Sequence, residues 1–124
     1  MNSRRQQRVA ELIREEVADI LTRKIGDPRV KLVCVTAVDV TADLELARVF
    51  VSVIGDSEAR RQALEGLDHA KPFIRHELAA RLQLRQVPEL MFRLDEAVER
   101  GARVDQLLRQ IQEDQGDRAE RPDS

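Results

Sequence analysis

The chain is 124 residues long, 42% hydrophobic and 35% charged, with a formal net charge of −2 and only 2% aromatic residues, all phenylalanine. That length supports one hydrophobic core without disulfides or metals, and so few rings argue against nucleic-acid binding built on aromatic stacking platforms. With a near-neutral balance, any surface for a polyanion must come from the placement of cations, not from their total.

The N-terminal run MNSRRQQRVAELIREE has no apolar signal core, and no apolar stretch approaches a membrane span, so a cytoplasmic protein is expected. Residues 4–25 carry Val9, Leu12, Ile13, Val17, Ile20, Leu21 and Ile25 at spacings of three and four, the signature of an amphipathic helix with Ser3 as its N-cap. Gly26-Asp27-Pro28 ends it. From Val30 to Val40 the residues are largely β-branched or apolar and predict a strand. The single cysteine, Cys34, lies in that run; it excludes an intrachain disulfide and a cysteine-based zinc site, and is expected to be a buried, inert thiol.

Thr41-Ala42-Asp43 reads as a turn. Between Leu46 and Ile54, Ala47, Val49, Val51 and Val53 alternate with Arg48, Phe50, Ser52 and Ile54, so the two strands form an antiparallel hairpin. Gly55-Asp56-Ser57 stops the second strand, and Ser57 is a candidate cap for a helix over 58–69, weakened by Gly66. Ala70-Lys71-Pro72 predicts a break, because proline suits a first helical turn and damages an interior. A further helix follows over 72–84, with Ile74, Leu78 and Leu82 along one side. Pro88 leads into a strand at 89–94. A last helix spans about 97–113, with Val104, Leu107, Leu108 and Ile111 at helical spacing, and Gly101 is expected to permit close packing at its start. The domain is expected over 1–114 and a disordered tail over 115–124. The order α-β-β-α-α-β-α predicts an α+β domain: a three-stranded sheet with the helices packed on one side.

That order resembles a type II KH domain. Local motifs sharpen the likeness: Asp27-Pro28-Arg29 after the first helix, Asp43-Leu44 and Ala47-Arg48-Val49 at the hairpin, Phe73-Ile74-Arg75 opening the third helix and Leu82-Gln83-Leu84-Arg85 closing it, Val87-Pro88-Glu89-Leu90 before the third strand, and Val98-Glu99-Arg100-Gly101-Ala102-Arg103-Val104 at the last helix. Together, over roughly residues 4–112, they resemble the bacterial ribosome-binding factor A family. The resemblance implies a KH-like fold without enzymatic activity or cofactor. It implies binding to the small (30S) ribosomal subunit and its 16S rRNA during maturation, rRNA processing and cold adaptation. The family's interrupted helix pair carries Ala-x-Gly; Ala70-Lys71-Pro72 keeps the alanine and has proline in the third place.

Long basic side chains can bind A-form RNA through phosphates and 2′-hydroxyls without rings. Lys71, Arg75, Arg81 and Arg85 are the first candidates, with solvated helix charges, some paired to Glu77 or Glu89, as the plain reading. Arg4, Arg5 and Arg8 form a second cluster, either a flexible RNA-docking arm or a solvated helix end. Arg29 either reaches the same surface or pairs with Asp27 or another carboxylate. His69 and His76 are seven residues apart and have no cysteine beside them, which argues against a metal site. Two function classes follow. One is a monomeric rRNA-binding factor acting on the immature small subunit, alone or beside other assembly factors, with no membrane. The other is a protein-interaction module using an amphipathic helix.

Overall fold

In the computed structural model, residues 3–101 and 111 are described. Helix α1 runs from Arg4 to Arg23. Its start is a capping box: Gln6 N–H donates to Ser3 Oγ at 3.1 Å, and Ser3 N–H donates to Gln6 Oε1 at 2.8 Å. Val9, Ile13, Val17, Ile20 and Leu21 are buried, as their spacing predicts. Beyond it, Asp27 caps a short 3-10 turn, Pro28–Val30, that drives Val30 into the core.

Strand β1 (Val33–Val40) pairs antiparallel with β2 (Leu46–Val53), from Val33 opposite Val53 to Val40 opposite Ala47. The register shifts between Val35 and Ala37, so Thr36 is an extra residue, and its hydroxyl donates to Asp95 Oδ2 at 2.6 Å. The shift has a cause in the sequence. Val33 and Val35 fall on odd positions and Val38 and Val40 on even ones, and one extra residue lets all four pack toward the same core. Cys34 is thereby turned to the opposite face and is exposed, which corrects the expectation of a buried thiol.

Helix α2 is one element from Ser57 to Leu82, with Pro72 inside it. The separate helices over 58–69 and 72–84, and the break at Ala70-Lys71-Pro72, are therefore not present. Asp56, not Ser57, is the cap, accepting from Ala59 N–H at 2.8 Å. The inward positions explain the continuity. Ala63, Leu67, Ile74 and Leu78 are buried, with Ala70 and Leu82 packed against the core. That stripe passes Pro72 without a change of phase, so the burial it secures outweighs the lost N–H. Gly66 does more than weaken the helix. A Cβ there would lie 3.0 Å from Val30 Cγ1 and 3.2 Å from Arg29 Cβ, so the missing side chain lets the 3-10 turn cross α2.

Helix α2 is the crossover that brings β3 (Glu89–Leu94) alongside β2 in parallel, giving a mixed sheet of order β1-β2-β3. α1 packs on β1, and α2 packs on β3 and β2, from one side. They cover Ala47, Val49, Val51, Leu90 and Phe92. The chain is thus an α+β domain of the expected class. A final helix begins at residue 96 and is described as far as 101. Its Glu99 is buried, accepts from Val53 N–H at 3.0 Å and lies 3.5 Å from Arg60. A Cβ on Gly101 would meet nothing within 4 Å, so that glycine serves no close packing among the described residues. Ile111 is helical and 51% exposed. The expected positions of Val104, Leu107 and Leu108, the domain end at 114 and the tail over 115–124 lie outside the described residues.

Candidate nucleic-acid interface

The eight cations singled out from the sequence divide into two groups. Four are held by carboxylates. Arg81, near the end of α2, donates to Glu16 at 2.9 Å and Asp19 at 2.6 Å on α1, with Glu77 3.5 Å away. Its hydrogen bonds to Asp19 and Glu16 raise its pKa and lower that of Asp19. This guanidinium ties the two helices together. Arg75 donates to the Val87 carbonyl at 3.2 Å and lies 3.6 Å from Glu89, pinning the loop before β3. Arg29 makes a forked contact with Asp27, closest at 2.7 Å, and approaches Glu65 at 4.0 Å. Lys71 lies 3.5 Å from Asp68, an exposed pairing of little strength.

Arg4, Arg5, Arg8 and Arg85 are exposed and form no ion pair with a described carboxylate. The first three stand on the opening turns of α1, inside the capped helix and not on a flexible arm. Its first turn carries no acidic residue. A hydrogen bond of 3.0 Å from Gln6 Nε2 to the Val40 carbonyl fastens that end of the helix to the end of β1. Arg85 follows the C-cap of α2. Gln83, at that cap, has φ +51° and turns the chain back toward α1.

The two ends meet. Arg5 and Arg85 line a single cleft of about 260 Å³ together with Asp43 from the β1–β2 turn. Val9, Leu44, Leu84 and Pro88 supply its apolar lining. Asp43 Oδ1 accepts from the Thr41 hydroxyl at 2.6 Å and from Glu45 N–H at 3.0 Å, and these bonds lower the pKa of its carboxyl. Leu44 has φ +62°, a left-handed conformation unusual for leucine. Asp43 and Leu44 escaped the sequence reading as site residues. The Asp43-Leu44 pair marked the hairpin, but nothing in it showed that the turn would stand beside the basic residues of α1.

Among the described residues no group of His, Cys, Asp and Glu is placed to hold a metal, and no helix is long and apolar enough to cross a membrane. The fold and the cleft define a small α+β module on a mixed three-stranded sheet, with a cationic end built from the start of one helix and the end of another. The family model for ribosome-binding factor A matches residues 5–108, and the chain belongs to that family. Among solved structures it is similar to ribosome-binding factor A from Thermus thermophilus, with 26% identity and a TM-score of 0.64 over 72% of this chain and 94% of that one. It is also similar to a Thermotoga maritima protein solved by NMR and provisionally assigned as ribosome binding factor A, with 31% identity and a TM-score of 0.65 over 75% and 90%. A third similarity is to a homology model of the Thermus thermophilus factor fitted into a cryo-EM map of a 30S complex, with 26% identity and a TM-score of 0.57 over 77% and 97%.

Proposed function

We propose that this protein is a non-enzymatic factor that binds the immature small ribosomal subunit through 16S rRNA, in the cytoplasm, and supports rRNA processing and growth in the cold. The observation that carries the reading is a set of four exposed guanidinium groups without an ion pair to a described carboxylate, Arg4, Arg5 and Arg8 on the opening turns of α1 and Arg85 after α2, of which Arg5 and Arg85 line one cleft with Asp43. The Thermus thermophilus relative fitted into a 30S complex supports the same reading. Each unpaired guanidinium can replace a condensed counterion on a phosphate, and the ions released supply the binding energy. The acidic residues elsewhere restrain non-specific attachment to RNA. Arg29, Lys71, Arg75 and Arg81 are secondary contacts in this reading, because a phosphate must compete with a carboxylate already in place.

The test is co-sedimentation with immature small subunits across a salt series. The wild-type protein binds at low salt and leaves as salt rises. Reversing Arg4, Arg5, Arg8 and Arg85 to glutamate lowers the slope of log K against log salt by about 3, at roughly 0.7–0.9 per phosphate contact. An unchanged slope would remove this end of the molecule from the interface.

A further inference from the structure

The cleft between α1, the β1–β2 turn and the loop after α2 carries more than charge. Three observations converge on it. It is concave and of about 260 Å³, just below the roughly 300–1,000 Å³ of pockets that hold drug-sized molecules, a size that admits a single small ring system. Its lining is mixed: two guanidinium groups, one carboxylate, and the apolar side chains of Val9, Leu44 and Leu84. Lastly, Leu44 in its wall holds a left-handed φ of +62°. Backbone strain of this kind gathers where the surroundings hold a ligand-binding shape.

The charges narrow the ligand. A free anion would be drawn by Arg5 and Arg85 and repelled by Asp43. A nucleotide within RNA offers both complements, phosphates on its backbone and N–H donors on its base. Asp43 Oδ1 is occupied by Thr41 and Glu45, whereas Oδ2 accepts no hydrogen bond from a described residue. One open acceptor matches the exocyclic amino or ring N–H that each RNA base carries, so it registers a base without choosing among the four. In a duplex those donors are engaged in pairing; in a bulge or loop they are exposed.

We propose that this cleft holds one unpaired nucleotide of RNA, its base against Val9, Leu44 and Leu84, its N–H on Asp43 Oδ2 and its neighbouring phosphates on Arg5 and Arg85. The assignment rests on the RNA-binding reading above and adds to it a preference for RNA with an extruded base. It also accounts for RNA recognition in a chain without an aromatic platform, since the base is enclosed by aliphatic side chains instead of stacked on a ring.

Two RNA hairpins of equal length and charge separate the outcomes, one with a single bulged adenosine and one with an abasic ribose at the same position. Fluorescence anisotropy with the full chain reads both affinities at one salt concentration. The bulged adenosine binds about tenfold more tightly, the scale of one hydrogen bond together with a partly buried ring. Asp43→Asn keeps an oxygen for Thr41 and Glu45 but converts the open acceptor into a donor; combined with Leu84→Ser, which removes apolar contact to the ring, it brings the ratio to about one without lowering the affinity for the abasic hairpin. Equal wild-type affinities that both fall with salt would overturn the cleft assignment and leave the RNA-binding reading intact. Binding of neither hairpin would overturn both. A preference that survives both Asp43→Asn and Leu84→Ser would place the base elsewhere and overturn the assignment.

Discussion

Replacing Pro72 with alanine should stabilise the domain, and the size of the gain follows from its surroundings. Pro72 sits within α2, where its nitrogen cannot donate to the Asp68 carbonyl one turn earlier and its ring crowds that carbonyl. A proline in a helix interior costs about 3 kcal/mol relative to alanine. Two effects reduce the gain. Pro72 and Asp68 are both exposed, so water partly satisfies the carbonyl. Proline also restricts the unfolded chain, which is worth roughly 0.4–1 kcal/mol. The net expectation for Pro72→Ala is about 2 kcal/mol, or a rise in Tm of roughly 8 °C at about 4 °C per kcal/mol. Pro72→Gly should gain about 1 kcal/mol less than the alanine variant. Urea titrations followed by circular dichroism measure both, with the m-value checking that the folded state is unchanged. If Pro72→Ala is neutral or destabilising at constant m, the chain does not strain to run helically through this residue, and a continuous α2 would be the wrong account of it.

At Gly66, alanine has the better helix propensity, yet Gly66→Ala should destabilise by about 1–2 kcal/mol in the same titrations, because its Cβ would press on the buried Val30 and on the backbone-proximal Cβ of Arg29. Acid should act partly through Arg81. Its hydrogen bond holds the Asp19 pKa below the unfolded value, so Asp19 contributes stability above about pH 4 that is lost as pH falls through its folded pKa. Arg81→Gln should therefore lower stability at pH 7 and flatten its acid dependence; parallel pH curves for the two proteins would refute the coupling. Cys34 is exposed, so a thiol reagent should modify it in native buffer at a rate that does not change on adding denaturant below the unfolding transition.

Much of this architecture can be read along the chain because it depends on local period. The stripe of α1, its Ser3 cap and the alternation at 47, 49, 51 and 53 need no distant partner to be recognised. The bulge at Thr36 has a trace in the parity change from Val33 and Val35 to Val38 and Val40, but a run of β-branched residues reads as one plain strand until its partner fixes the register. At Pro72 the local rule loses to the stripe around it: Ala63, Leu67, Ala70, Ile74, Leu78 and Leu82 keep one helical phase across the proline. Arg81 could not be assigned from its neighbours, since Glu16 and Asp19 lie 65 and 62 residues earlier. The same applies to the cleft, which joins side chains far apart in the sequence. Sequence spacing identified Arg5 and Arg85 as cations, but only the fold makes them face a common space.

The Gln6 amide bonded to the Val40 carbonyl bears on how quickly a partner could be captured. A docking segment that must first assume its shape spends part of each encounter on ordering. Here the arginine-bearing turns are already anchored to the sheet, and Arg81 anchors the opposing helix to α1. Recognition at this end should thus proceed at the pace of diffusion and alignment, with no slow rearrangement of the protein preceding it.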